Sequence, residues 1–232
     1  MIITIHQPEY LPWLGFFNRI DKADVFVILD NVQYQKNGFI NRNRLKTAKG
    51  EAWLTVPVNG EQKSSSIDEV EIGGAPAWNA AHWDLIESSY GKAPYFKDYA
   101  FLFEEAVLKR DFKLICELDY YFIKIVLDIL GIKKEIVRAS SLNPAGTATD
   151  LIVDICKKLG GNIYLAGPGG KNYMELEKFE KERIGVIFDE FTHPQYPQLF
   201  PEKGFLPSLS IIDLLFNCGP GSLEIIRSGS KK

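Results

Sequence analysis

Apolar positions along this chain switch between a period of two and a helical period. Met1 to Ile5 is β-branched and almost wholly apolar, which predicts a short buried strand. The run stops at His6-Gln7-Pro8, where Pro8 lacks a backbone donor and pushes Gln7 toward extended geometry. Pro12 suits the first turn of a helix, and Leu14, Phe17 and Ile20 follow at helical spacing. Val25 to Leu29 is a second apolar run, ending at Asp30-Asn31. A strand–helix–strand unit of this length predicts a parallel, right-handed crossover. The polar stretch Gln33 to Lys49 then reads as a long loop. Trp53 to Val58 and Ile67 to Ile72 read as strands, a hairpin at the sheet edge joined by an exposed Asn59 to Ser66 connection.

A helical stretch comes next. Pro76 suits a helix start, and Trp78, His82, Leu85, Ile86 and Tyr90 share one face, with Gly91 and Pro94 ending it. Phe101, Phe103, Ala106 and Val107 mark a second helix. A third, with Asp111 as N-cap, carries Phe112, Ile115, Cys116, Tyr121, Phe122, Ile125, Val126 and Ile129 as a wide apolar face closed by Gly131. Alternation then returns. Ile136 to Ala139, Ile163 to Ala166 and Gly185 to Phe188 predict strands, and Ser140 to Thr147 a polar loop. Helices are expected from Thr149 or Asp150 to Leu159, from Glu175 to Arg183, from Ile211 to Phe216 and after Gly219-Pro220. The architecture expected is a mostly parallel, doubly wound (Rossmann-like) α/β sheet in one domain, residues 1–232. It carries an edge β-hairpin and a helical insertion at about 76–131.

Composition narrows the class without naming a reaction. A hydrophobic fraction of 46% and a charged fraction of 25% are ordinary for a globular chain, and a net charge of −3 gives no reason to expect nucleic acid as partner. No apolar run is long enough for a membrane span, and no leader pattern opens the chain, so a cytoplasmic location is expected. Cys116, Cys156 and Cys218 are odd in number and far apart, as buried thiols in a reducing compartment would be. Three scattered histidines argue against a histidine-rich metal site, and the sequence contains no Gly-x-Ser-x-Gly elbow, no paired Cys-x-x-Cys and no His-Glu-x-x-His.

Four stretches carry candidate chemistry. In the first turn, His6 can act as general acid or base, and the helix start at Trp13 to Gly15 offers N–H groups to an anion. The basic segment Lys36, Asn41, Arg42, Asn43, Arg44 and Lys46 places Arg42 and Arg44 on one side of an extended backbone, suited to phosphate or carboxylate. Gly167-Pro168-Gly169-Gly170 follows a strand and lets a ligand approach backbone N–H groups, with Tyr173 beyond it as a stacking surface. It lacks the lysine and hydroxyl of a P-loop. In Thr192 to Gln198, His193 is a second candidate acid or base. Asp213 lies on an apolar helix, where capping near the helix start is the plainer reading; Ser208 and Ser210 read as N-caps.

The segment His6-Gln7-Pro8-x-Tyr10-x-Pro12-Trp13-x-Gly15-Phe16-Phe17 resembles the opening signature of the WbqC-like protein family. The resemblance continues through Asn41-Arg42-Asn43-Arg44, Gly50-x-x-Trp53-Leu54-Thr55-Val56-Pro57-Val58, Tyr164 to Gly170, His193-Pro194-x-Tyr196-x-Gln198 and Leu209 to Asn217. It implies a place in bacterial surface-polysaccharide (O-antigen) biosynthesis, where a glycine-transferase role has been suggested for some members. On that footing the expected activity is transfer of an acyl or aminoacyl group to a sugar, with a nucleotide-sugar or acyl donor as small-molecule partner. His6 and His193 would be catalytic. Gln7, Tyr10, Trp13, Gly15, Asp30, Lys36, Asn41, Arg42, Asn43, Arg44, Gly167, Gly169, Gly170, Tyr173, Tyr196 and Gln198 would contact substrate. An ATP-using ligase or nucleotidylyltransferase, and a noncatalytic assembly protein of the same pathway, are the alternatives.

Overall fold

In the computed structural model, which describes residues 1–60, 65–74 and 78–230, the chain opens as expected with β1 (Ile2–His6), α1 (Leu14–Lys22) and β2 (Val25–Ile28). The later parallel strands are β5 (Glu135–Arg138), β6 (Ile163–Ala166) and β7 (Gly185–Phe188). They lie in the order β5-β2-β1-β6-β7, every neighbouring pair parallel. The chain steps outward from β1 to β2 to β5, then returns to start β6 on the other side of β1. The winding therefore reverses between β1 and β6, the place where open α/β sheets leave a crevice beyond their carboxyl ends.

Both faces of the sheet are covered. Ile3, Ile5, Val25 and Val27 pack under α6 (Ala148–Lys158) and α7 (Leu176–Lys181). Phe26 and Ile28 face α1 and the larger core. That core is completed by α2 (Trp78–Tyr90), α3 (Phe96–Glu104), which runs on into a π-helical turn at Glu105–Lys109, α4 (Ile115–Leu130) and α8 (Ile211–Cys218). Two shorter helices, α5 (Ala139–Leu142) and α9 (Ser222–Ser228), complete the layers. Among the described residues no helix is long and apolar enough to cross a membrane. The cysteines are free thiols, Cys116 and Cys156 buried and Cys218 half-buried.

Several local expectations are corrected. The hairpin is built from β3 (Arg42–Thr47) and β4 (Gly50–Thr55), so half of the expected Gln33–Lys49 loop is strand. It forms its own two-stranded sheet and does not extend an edge of the parallel one. Ile67–Glu69 is a 3-10 turn, because Ile67 and Val70 bury three residues apart, a spacing that a turn satisfies and a strand does not. Pro12 precedes the N-cap Trp13, and α4 begins after Leu114 in extended geometry, with Asp111 playing no capping part. The Ser140 to Thr147 stretch opens with the single turn of α5. Gly131 ends α4 in the left-handed region, φ 69°, as expected of a C-terminal glycine. Pro76 lies outside the described residues.

Candidate functional site

The carboxyl ends of the parallel strands set His6, Asp30, Arg138 and Gly167 along one edge, with Glu9 in the turn that follows β1. His6 Nδ1 lies 2.8 Å from the Gln7 carbonyl, which can only accept, so Nδ1 carries the proton and Nε2 keeps its lone pair. That nitrogen looks toward Glu9 Oε1 at 3.8 Å, while the ring packs edge-on against Phe16, centroids 5.0 Å apart. Burial, with Arg19 adding to it, pushes His6 down to about 3. Burial pushes Glu9 the other way, up to about 7, against the opposing pull of Arg19. Glu9 Oε2 is buried with no hydrogen-bond partner. A carboxyl group poised near neutrality beside an imidazole with a free lone pair is a proton-transfer pair.

Arg19 reaches this edge from α1 and is itself largely desolvated, which lowers its pKa. Its guanidinium lies against Gly167, where an added Cβ would collide with Nη1. A side chain at Gly167 would therefore displace the Arg19 guanidinium from where it packs. Pro168–Asn172 is a 3-10 turn, with Gly169 in open space and Gly170 against Met174 and Phe188. Gly15 has a parallel reason, since a Cβ there would enter the Trp13 indole.

Two cavities flank the turn. One, about 210 Å³, lies at the winding reversal between His6, Gln7, the start of α6 at Ala148 and Thr149, Tyr164, and the exposed Tyr173. The other, about 280 Å³, lies between the turn and the hairpin, lined by Glu9, Trp13, Phe39, Asn43 and Ser208. A larger cleft of about 550 Å³ runs along edge strand β5 beside Tyr120, Tyr121 and Arg138, away from the His6–Glu9 pair. Among the described residues no group of three His, Cys, Asp or Glu side chains is placed to hold a metal.

The other sequence candidates are placed differently. Asp30 is fully buried and accepts from Arg138 Nε at 2.6 Å, from the Ser140 amide and from the Ser140 hydroxyl, both at 2.8 Å. Tyr10 is fully buried, its hydroxyl 3.1 Å from His82 Nδ1, while His82 Nε2 donates to the Thr55 carbonyl. Asn41 donates to the Val56 carbonyl, and Asn43 donates to the carbonyls of Tyr10 and Leu11. Arg42 and Arg44 do share one side of β3, as the alternation requires, and both lie over the Trp53 ring, at 4.4 and 5.8 Å. Arg42 donates to the Gly38 and Asn37 carbonyls, and Arg44 to Glu51 and the Ser208 carbonyl. Lys36 is exposed.

His193 donates from Nδ1 to the Pro194 carbonyl at 2.8 Å and accepts the Ser208 amide at Nε2 at 3.0 Å. With both nitrogens engaged it holds the 208 segment in place. Gln198 and Tyr196 belong to a buried network with Lys46, Tyr90 and Asp213. Asp213 accepts there from Tyr90 and Gln198, which replaces the capping role expected of it. Ser210 does stand at the N-cap of α8, but its hydroxyl caps nothing and has no partner.

Glu9 and Arg19 were absent from the sequence candidates. Glu9 occupies a position that the opening signature leaves open, between Pro8 and Tyr10. A carboxylate in a turn otherwise made of Pro, Tyr, Leu and Trp was the available signal. Arg19 lies on an amphipathic helix, where an arginine three residues from Phe16 looks like ordinary solvent-facing charge.

The chain can be set beside known proteins. No solved structure matches it. An uncharacterized protein, Rv1507c, of Mycobacterium tuberculosis (strain ATCC 25618 / H37Rv) is 32% identical over 227 residues, covering 97% of each chain. A model of the WbqC-like protein family matches residues 7–225, a span that takes in Glu9, Arg19, the cavity between the turn and the hairpin and the buried network, and the chain belongs to the WbqC-like protein family.

Proposed function

We propose that this chain is a transferase that moves an acyl or aminoacyl group from an activated donor to a small acceptor, a sugar of surface-polysaccharide biosynthesis. The observation that carries the reading is the His6–Glu9 pair, two groups with opposed pKa shifts standing in the wall between two cavities at the winding reversal. Two cavities meeting at one proton-transfer pair suit two substrates.

In this account Glu9, ionised above pH 7, takes the proton from the acceptor O–H or N–H. The acceptor atom bonds to the acyl carbon, the bond from that carbon to its leaving group breaks, and the leaving group departs with its electron pair. Glu9, now protonated, gives that proton to the leaving group, with His6 Nε2 beside it to orient the carboxyl. Arg19 opposes negative charge developing on the acyl oxygen. General-base removal of this kind is worth about 10²- to 10⁴-fold in rate.

Mass spectrometry of monosaccharide acceptors incubated with an aminoacyl thioester tests this. The expected result is an acylated product whose formation rises through pH 7 and falls by at least about 100-fold in Glu9→Gln. A product formed equally by wild type and Glu9→Gln would remove Glu9 from the chemistry, and no acyl transfer across donor classes would remove the activity.

A further inference from the structure

The cavity of about 280 Å³ has a chemistry more specific than the transfer reading requires. Trp13 and Phe39 supply its aromatic walls and Glu9 its acid. The Glu9 oxygen Oε2 lacks a partner. Behind Glu9, on α4, Asp119 is fully buried and both its oxygens lack partners. The two carboxyl groups feel one another, and burial holds Asp119 well above the usual carboxylate range. Arg19 already supplies positive charge near Glu9, but Glu9 Oε2 receives no hydrogen bond, and since burying an acid without a donor is costly, a cation bearing N–H donors in the cavity would satisfy it. Aromatic faces beside a carboxylate bind such a group through the ring quadrupole and the anion together.

We infer that this cavity is an ammonium subsite, in which Glu9 and the rings of Trp13 and Phe39 take the primary amine of the ligand. It rests on the transfer reading in one respect, that the amine belongs to one of the two substrates. A primary ammonium can come from an amino sugar or from an α-amino acid derivative, and the shared group is what the cavity recognises.

Isothermal titration of the full chain with D-glucosamine, N-acetyl-D-glucosamine, D-glucose and glycinamide tests it. Either glucosamine or glycinamide should bind at least tenfold more tightly than both glucose and N-acetylglucosamine, and which of the two binds names the source of the amine. Glu9→Gln should lose at least tenfold for that ligand. No binding by either amine, binding of neither amine more tightly than glucose and N-acetylglucosamine, or full affinity in Glu9→Gln would overturn the inference. If Glu9→Gln does not fold, comparing on wild type the amine that binds with its N-acetyl form decides alone, since acetylation removes the charge and leaves the rest of the molecule. Amine binding without acyl transfer would sink the transfer reading only, and transfer with no preference for amines would sink this inference only.

Discussion

Glu9 and His6 stand 3.8 Å apart with their pKa values shifted in opposite directions, which makes stability against pH a direct measure of the pair. His6, lowered in the folded chain, binds fewer protons than in the unfolded chain, so its contribution is lost as pH falls from about 6.5 toward 3. Glu9, raised, binds more protons when folded, so its contribution is present below about 4.5 and lost as pH rises through about 7. Between 4.5 and 6.5 the two slopes oppose. Glu9→Gln removes one of them, and its stability should rise with pH across that window more steeply than wild type, by up to about 1.4 kcal/mol per pH unit. Urea unfolding at several pH values checks this, and parallel pH profiles would show that Glu9 is not shifted. At Gly167, Gly167→Ala should cost about 1–3 kcal/mol, because Arg19 must leave its packed position. It should also weaken acyl transfer, where a surface turn would give neither effect. His6 was legible in the sequence because a polar residue ends an apolar strand. Glu9 was not, since what sets it apart is burial without a partner, which only the folded chain displays.

At the scale of elements, the parallel strands were legible because each is a short β-branched run that the sheet buries. The hairpin strand Arg42–Thr47 was not, since two of its three buried residues, Asn43 and Lys46, are polar and are satisfied by hydrogen bonds in place of apolar contacts. Asn43 shows the consequence. Its amide donates to Tyr10 and Leu11, the latter at φ 46°, and so ties the hairpin to the strained turn that carries Glu9. Asn43→Ala should therefore cost about 1–3 kcal/mol and lower affinity at the Glu9 cavity together. A lowered urea midpoint at unchanged slope, with the matching loss in titration, checks both. Loss of affinity with no loss of stability would mean that Asn43 contacts ligand directly. The segment Ile67–Ile72 erred in the opposite sense, having strand composition but the burial spacing of a turn.

Across the whole molecule, a buried polar network joins parts of the chain far apart in sequence. Lys46, almost fully buried, donates to Gln198 and the Gly204 carbonyl, Gln198 and Tyr90 donate to Asp213, and Asn217 donates to the Asp213 carbonyl. Hairpin, α2, the 193–208 segment and α8 are fastened at one point. Asp213→Ala leaves the buried Tyr90 hydroxyl and the Gln198 amide without their acceptor and should cost about 1–3 kcal/mol. It should lower a single unfolding transition and not split it, as differential scanning calorimetry would show. Two transitions would mean that the hairpin unfolds apart from the sheet. Tyr196, Gln198 and Asp213 stood out in the sequence as unusual polar residues, and their shared purpose became visible only once four distant segments met.

The indole of Trp13 lines the Glu9 cavity and lies nearly parallel to the His193 ring, planes 16° apart. A chromophore so placed answers to the water beside it, because its excited state is stabilised by solvent that can reorient. A molecule entering the cavity displaces that water and should move the emission to shorter wavelength. With Trp53, Trp78 and Trp83 replaced by phenylalanine, the protein would signal occupancy of its own cavity as a change of colour.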